Sequence, residues 1–448
     1  MRMRLLISIV ALTMFLGSQA AHAGWYEDAN AAYKRGDYAT TFALVKPLAE
    51  QGDPNGENFM GYLCLSGRGV PQNYAEALKW FQKSADQGYY KGQNNLGDMY
   101  KDGKGVPQDY AEAIKWYRKA ADQGNTMAQS YLGAMYADGQ AVPQDYAEAI
   151  KWYRKAADQG DATAQSNLGD MYAKGQGVPQ DYAEAVKWYR KAAEQGFATA
   201  QSQLGFMYAT GQGVPQDYTE ATKWYRKAAD QGNAMAQSYL GAIYADGQGV
   251  PQDYTEAAKW HRKAADQGNA MAQSYLGAMY ADGQGVPQDF TEAIKWYRKA
   301  ADQGNATAQS NLGVVYDIGQ GVAQDYAEAI KWYRKAADQG YAMAQSNLGI
   351  MYFNGQGVPQ DYAEAIKWYR KAADQGEYET QKMLGIAYAK GYVGPQNLVL
   401  AYMWLNLSAI SNDPLTIGLR EKVANQMTSD QIIEGQRLSR EWLNVHRK

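Results

Sequence analysis

The sequence predicts an all-α solenoid of stacked helix–loop–helix units, and three observations carry that prediction. Tryptophan stands at Trp80, Trp116, Trp152, Trp188, Trp224, Trp260, Trp296, Trp332, Trp368 and Trp404, each 36 residues after the last. Proline keeps the same period at Pro71, Pro107, Pro143, Pro179, Pro215, Pro251, Pro287, Pro359 and Pro395, with Ala323 in the one gap. Within each period, two stretches carry apolar residues at helical spacing. A fixed period of about 20–50 residues marks a repeat architecture and outranks any local signal. The length of 448 residues therefore counts stacked units rather than globular domains.

Gly124 to Gln159 serves as the type unit. Its first helix is expected where Ala128, Leu132, Met135 and Tyr136 recur at i, i+4, i+7 and i+8. Gly139 closes that helix, and Ala141-Val142-Pro143 forms a loop. Asp145 caps the second helix, with Glu148 placed three residues on as the return partner of a capping box. That helix presents Ala149, Trp152, Tyr153, Ala156 and Ala157 on one face, and Gly160 follows where a left-handed residue is expected. One hairpin cannot bury its apolar face, whereas a stack of hairpins can. Ala128, Gly133, Ala156 and Ala157 are small enough for close helix approach. The ten periodic tryptophans supply the buried area, each worth about 2–3 kcal/mol when fully covered. They are read as structural core.

The unit resembles the Sel1-like repeat, a relative of the tetratricopeptide repeat. The resemblance is carried by A-Q-S-x-L-G-x-M-Y, then G-Q-G-V-P-Q-D-Y, then A-E-A-I-K-W-Y-R-K-A-A-D-Q-G. It covers residues 52–412, about ten units. It implies a right-handed superhelix whose first helices line a concave side. It also implies a role as an adaptor or scaffold that binds proteins, often in bacterial envelopes or at host interfaces.

The flanks differ from the array. Arg2 and Arg4, the apolar run Leu5 to Leu16, and Ala21-His22-Ala23 before Gly24 make residues 1–23 a secretory leader, cleaved between Ala23 and Gly24. The chain is expected to be exported, periplasmic or secreted, with no membrane span after the leader. Residues 24–51 form a tetratricopeptide-like cap. There Arg35-Gly36-Asp37 replaces the long loop, and Tyr38 and Leu44 stand 36 residues before Tyr74 and Trp80. Residues 413–448 form a helical cap. Asp413-Pro414 starts one helix, and Thr428 with Gln431 caps another whose outer face carries Arg437, Arg440 and Glu441. The lone Cys64 stands where other units place tyrosine and reads as a small buried hydrophobe.

The copies can be compared with one another, counting from each leading glycine. They differ most at positions 1, 3, 7, 10 and 14. The last four, spaced four, three and four, lie on one stripe of the first helix, opposite its core leucine and tyrosine. Position 3 includes Met127, Met235 and Met271. Position 7 includes Tyr131, Asn167, Gln203, Tyr239, Tyr275, Asn311 and Asn347. Position 10 includes Asp170, Phe206, Val314 and Ile350, and Phe353 is counted with them. Aromatic residues interleaved with amides suit recognition of a protein or peptide. The alternative is that these residues touch the neighbouring unit and vary because the fit there is loose.

The second helices barely vary. Lys151, Arg154 and Lys155 repeat with Asp145, Glu148 and Asp158, so each unit is a solvated face of paired charges rather than a basic patch. The whole chain sets 44 basic against 47 acidic side chains, which argues against nucleic acid. After the leader only His261 and His446 remain as histidines, and no HExxH, Walker loop or cysteine–histidine pair occurs. Some cysteine-rich relatives are associated with β-lactam binding or hydrolysis. Those carry paired cysteines in each repeat, and this chain has one cysteine in all. The expectation is therefore a monomeric, exported protein-binding scaffold with no catalytic residue, cofactor or metal. The alternatives are a secreted or surface factor that binds a host protein, and an enzyme acting on cell wall or β-lactams.

Overall fold

Each unit closes its helices with short-range hydrogen bonds. Asn125 accepts from the Ala128 amide at 2.8 Å and starts the helix Thr126–Asp138. That helix stops at Gly139, whose φ of +70° suits glycine. The chain then turns back, and the Gln144 side-chain amide donates to the Ala137 carbonyl at 2.8 Å. Asp145 is extended, and its carboxylate accepts from the Glu148 amide at 2.9 Å to start Tyr146–Asp158. The expected capping box is only half made. The Asp145 N–H already donates to the Tyr136 carbonyl at 2.9 Å, so the Glu148 carboxylate has no return donor. It binds Lys151 at 2.9 Å and Trp152 Nε1 at 3.0 Å instead.

The structure is a computed structural model and describes residues 24–392 and 394–446. The leader (Arg2, Arg4, Leu5–Leu16 and Ala23) lies outside the described residues, and Gly24 opens a helix over 24–34. After Tyr38–Glu50, helices follow in pairs from Pro54–Ser66 and Tyr74–Asp86 through to Tyr378–Lys390 and Leu398–Ser408, almost all of 13 residues. A 3-10 turn Ala409–Ser411 and the helices Pro414–Ala424 and Ser429–His446 finish the chain. No strand occurs among the described residues, and none of their helices is long and apolar enough to cross a membrane. The chain divides into two compact units, one ending at Asp217 and one beginning at Tyr218.

Within each compact unit the core is serial. In the first, Ala113, Tyr117 and Ala120 of the helix Tyr110–Asp122 meet Ala128, Leu132 and Met135 of the next helix, and Trp152 closes the cluster. In the second, Ala329, Tyr333 and Ala336 meet Ala344, Leu348 and Met351, closed by Trp368. Each tryptophan thus packs back onto the preceding repeat and cements the joint between repeats. Nine of the ten are buried. Trp80 is the exception. It is half-buried, and the helix before it offers Val45 where later repeats offer an aromatic ring. Lysines one turn on cover the ring faces, as Lys155 does over Trp152 at 4.0 Å.

Two further bonds cross between repeats. The buried Gln129 donates to the Ala121 carbonyl of the preceding repeat at 3.0 Å and accepts from Gln159 at 2.7 Å. Arg118 donates to the Tyr136 hydroxyl of the next repeat at 2.5 Å. The basic row of the second helix is therefore spent on glutamates, indoles and tyrosine hydroxyls. At the ends, Asp37 caps Tyr38–Glu50 by accepting from Thr40, and Thr428 and Gln431 form the reciprocal capping box at 2.9 and 3.3 Å. Arg437 pairs with Glu434 at 2.6 Å and with Glu441. Cys64 is buried.

Candidate partner-binding surface

The surface is built over a row of aromatic rings that the sequence reading did not single out as part of the site. Position 29 of the internal repeats, on the second helix, is Tyr117, Tyr153 or Tyr189 in the first compact unit. In the second it is Tyr225, His261, Tyr297, Tyr333 or Tyr369, and all of these are buried. Glycine at position 9 makes room for the ring. A Cβ on Gly133 would lie 2.5 Å from the Tyr153 ring, and one on Gly277 would lie 2.6 Å from Tyr297. Burial holds the tyrosine hydroxyls protonated, well above their ordinary range.

The variable residues meet these buried hydroxyls. The Tyr117 hydroxyl donates to Asp98 at 2.6 Å, and Tyr189 donates to Asp170 at 2.6 Å, both at position 10 of the same repeat. Where position 10 is not acidic, position 7 of the next repeat can supply the partner. Asn167 bonds Tyr153 and Asn311 bonds Tyr297, while Tyr333 is bonded by Asn347 and also donates to Asp317, at position 13 of its own repeat, at 3.3 Å. Where position 7 is tyrosine, ring meets ring. Tyr131 lies 5.2 Å from Tyr117, Tyr239 lies 5.2 Å from Tyr225, and Tyr275 stacks on His261 at 5.0 Å. Tyr369 has Ile350 at position 10 and Met383 at position 7, and its hydroxyl has no partner.

This corrects the expectation that the stripe lies wholly opposite the core. Positions 7 and 10 border the buried rings of the second helices. In the first compact unit only Met127 of the predicted residues is exposed, while Tyr131, Asn167, Asp170, Gln203 and Phe206 are half-buried. In the second, Met235 and Tyr275 are exposed. Tyr239, Met271, Asn311, Val314, Asn347, Ile350 and Phe353 are half-buried. Phe353 stands at position 13, one residue off the stripe, and packs among Tyr362 and Tyr392 at 5.0 and 5.2 Å. The outer edge of the row is formed at position 3 and by Tyr275, with Met127, Met235, Met343 and Tyr275 being 52, 50, 51 and 46% exposed.

His261 is the one imidazole in the row. Its ring takes the tyrosine's place against Gly241, and burial lowers its pKa to about 4, so it stays neutral. At the N-terminal end the row passes into a cavity of about 260 Å³ lined by Tyr26, Asn30, Tyr33, Asn58, Tyr62 and Asn95. Tyr62 and Asn95 hold positions 10 and 7 there, so extending the numbering into the atypical repeat would have found it. No group of three or more His, Cys, Asp or Glu side chains is placed to hold a metal among the described residues.

The Sel1 repeat model matches ten consecutive stretches, the first at residues 54–89 and the last at 379–413. The chain belongs to the Sel1 repeat family. Sel1-repeat solenoids are commonly protein-interaction scaffolds and typically non-catalytic. A similar solved structure is a protective antigen of uropathogenic Escherichia coli strains, described as displaying an SLR fold. It is 37% identical, with 95% of this chain and 93% of that one covered at a TM-score of 0.83. A Sel1 repeat protein from Oxalobacter formigenes is also 37% identical over 55% of this chain and 96% of its own, with a TM-score of 0.51. Comparison with curated proteins gave no match.

Proposed function

We propose that this Sel1-repeat protein is an exported scaffold that recognises a protein or peptide through the variable row of its first helices. One observation carries the reading. The second helices repeat nearly the same paired charges, while the row over the buried rings changes from repeat to repeat and keeps large apolar side chains half exposed. Methionine at the outer edge is unbranched and polarisable, which suits an adaptable contact surface. The leader pattern of residues 1–23 supports export. The similarity to a protective antigen favours a destination outside the cytoplasm and keeps a host protein among the candidate partners.

The test is affinity capture by the purified chain from bacterial-envelope and host-cell extracts, repeated with a Met235→Lys, Tyr275→Lys, Met343→Lys variant. A partner bound through the row is lost from the variant while its melting stays that of wild type. Retention of the partner by this variant, with loss on charge reversal of Lys151 and Lys187, would move the site to the second helices. N-terminal sequencing of the exported protein should begin at Gly24, and an uncleaved cytoplasmic chain refutes export.

A further inference from the structure

In internal repeats a pair of side-chain amides, the inner one buried and the outer one on an exposed glutamine, ties the second helix to the first. Gln159 Nε2 donates to Gln129 Oε1, Gln303 to Gln273 and Gln339 to Gln309, each at 2.7 Å. Gln375 donates to Gln345 Oε1 and to the Gly340 carbonyl, both at 2.9 Å. In each pair the inner glutamine's own amide nitrogen is used elsewhere, on an alanine carbonyl of the preceding repeat. Its Oε1 must therefore face the incoming amide.

The last repeat keeps the acceptor and lacks the donor. Gln381 Nε2 donates to the Ala373 carbonyl at 3.1 Å, so its Oε1 points the other way. That oxygen has no partner, and the residue is 1% exposed. Thirty-six residues after Gln375 stands Ser411, whose hydroxyl is turned back to the Ser408 carbonyl at 2.8 Å. A cavity of about 230 Å³ adjoins Gln381, walled by Gly376, Leu407, Ile410, Trp442 and Leu443. Gly376 corresponds to Gly340, the second acceptor of the internal pair. The Trp442 wall is braced by a bond from Nε1 to Asp374 at 3.2 Å and by His446 stacked on it at 4.2 Å. A buried acceptor without a donor is costly and rare in a native core.

We propose that this cavity is a socket for a primary carboxamide, and that its occupant is the glutamine side chain of a bound peptide. The observation behind the choice is the same socket seen filled, with the same group, in the repeats before it. The apolar walls would take the flanking side chains of such a peptide. The site is separate from the variable row and stands or falls independently of it.

The experiment titrates the purified protein with the capped, methylamide-terminated tripeptide leucyl-glutaminyl-leucine and its glutamate and methionine counterparts, read by ligand-observed NMR. One hydrogen bond to an otherwise orphaned buried acceptor predicts about tenfold tighter binding of the glutamine peptide. The preference should vanish in Gln381→Leu. All three peptides should be lost in Ile410→Arg, which fills the mouth at a residue 48% exposed and leaves Gln381 in place. Equal binding of the three peptides, no binding, a glutamine preference that survives Gln381→Leu, or binding that survives Ile410→Arg would overturn the proposal.

Discussion

His261 shows how one substitution in a repeated core changes the chain's response to acid. A tyrosine in that slot takes up no proton as pH falls, whereas an imidazole does once the pH is low enough. Burial lowers the His261 pKa to about 4, against about 6.5 in an unfolded chain. The stability tied to the neutral ring is complete above pH 6.5 and is lost as pH falls from 6.5 towards 4, with an upper bound of about 3 kcal/mol. Denaturant unfolding should show wild type losing more stability than His261→Tyr between about pH 7 and pH 4.5, and equal losses would refute the assignment. Ala141 is a second departure. It has φ +57° where the corresponding positions of neighbouring repeats hold Gly105 and Gly177. The left-handed region costs an alanine about 1–2 kcal/mol, and the freer unfolded glycine gives back about 0.5–1. Ala141→Gly should therefore raise stability by about 0.5–1 kcal/mol, measured by the denaturation midpoint at constant slope. Both residues are visible in the sequence as exceptions to a repeat. The partners of the buried tyrosines were not visible, because they come from position 10 or 13 of one repeat or position 7 of the next, and only the packed structure says which lies within reach.

At the scale of the helix, the boundaries were legible because each rests on a local device. Gly139 stops one helix and Asp145 starts the next, and the structure places both as the residue types require. The capping box stays half made because the interhelical loop competes for its donor. The loop returns the Asp145 N–H to Tyr136, so the donor that Glu148 was expected to serve is already bound. At Thr428 no such loop competes, and the reciprocal pair with Gln431 forms. The two residues should thus differ in weight. Asp145→Ala should cost about 1 kcal/mol through the lost cap. Glu148→Ala removes an exposed pair with Lys151 and a bond to the Trp152 indole, and should cost no more than about 0.5 kcal/mol. Equal costs in denaturant unfolding would mean that Glu148 closes the box after all.

At the scale of the whole molecule, the serial core makes length a modular quantity. The cluster around Leu312 ends with Trp332, and the cluster around Leu348 ends with Trp368, so each repeat depends on its immediate neighbours. This predicts that one repeat can be excised cleanly. Deleting residues 306–341 joins Asn305 to Ala342, and the new run Asn-Ala-Met-Ala-Gln-Ser is already present from Asn233 to Ser238. The joint that forms is chemically the one removed. Gln345 replaces Gln309 as donor to the Ala301 carbonyl, Trp368 replaces Trp332 over Ala300 and Ala301, and Asn347 replaces Asn311 as partner of the Tyr297 hydroxyl. The shortened chain should keep its mean residue ellipticity and unfold cooperatively, with a smaller denaturant slope because less surface is exposed on unfolding. Deleting 306–323 alone removes a first helix and its loop but leaves the second. It sets Tyr326–Asp338 directly after Phe290–Asp302 and takes away Leu312 and Val315, on which Trp332 packs. That variant should lose helicity and aggregate. If both deletions were tolerated alike, the 36-residue joint would not be the unit of stability, and the serial core would be the wrong account of this fold.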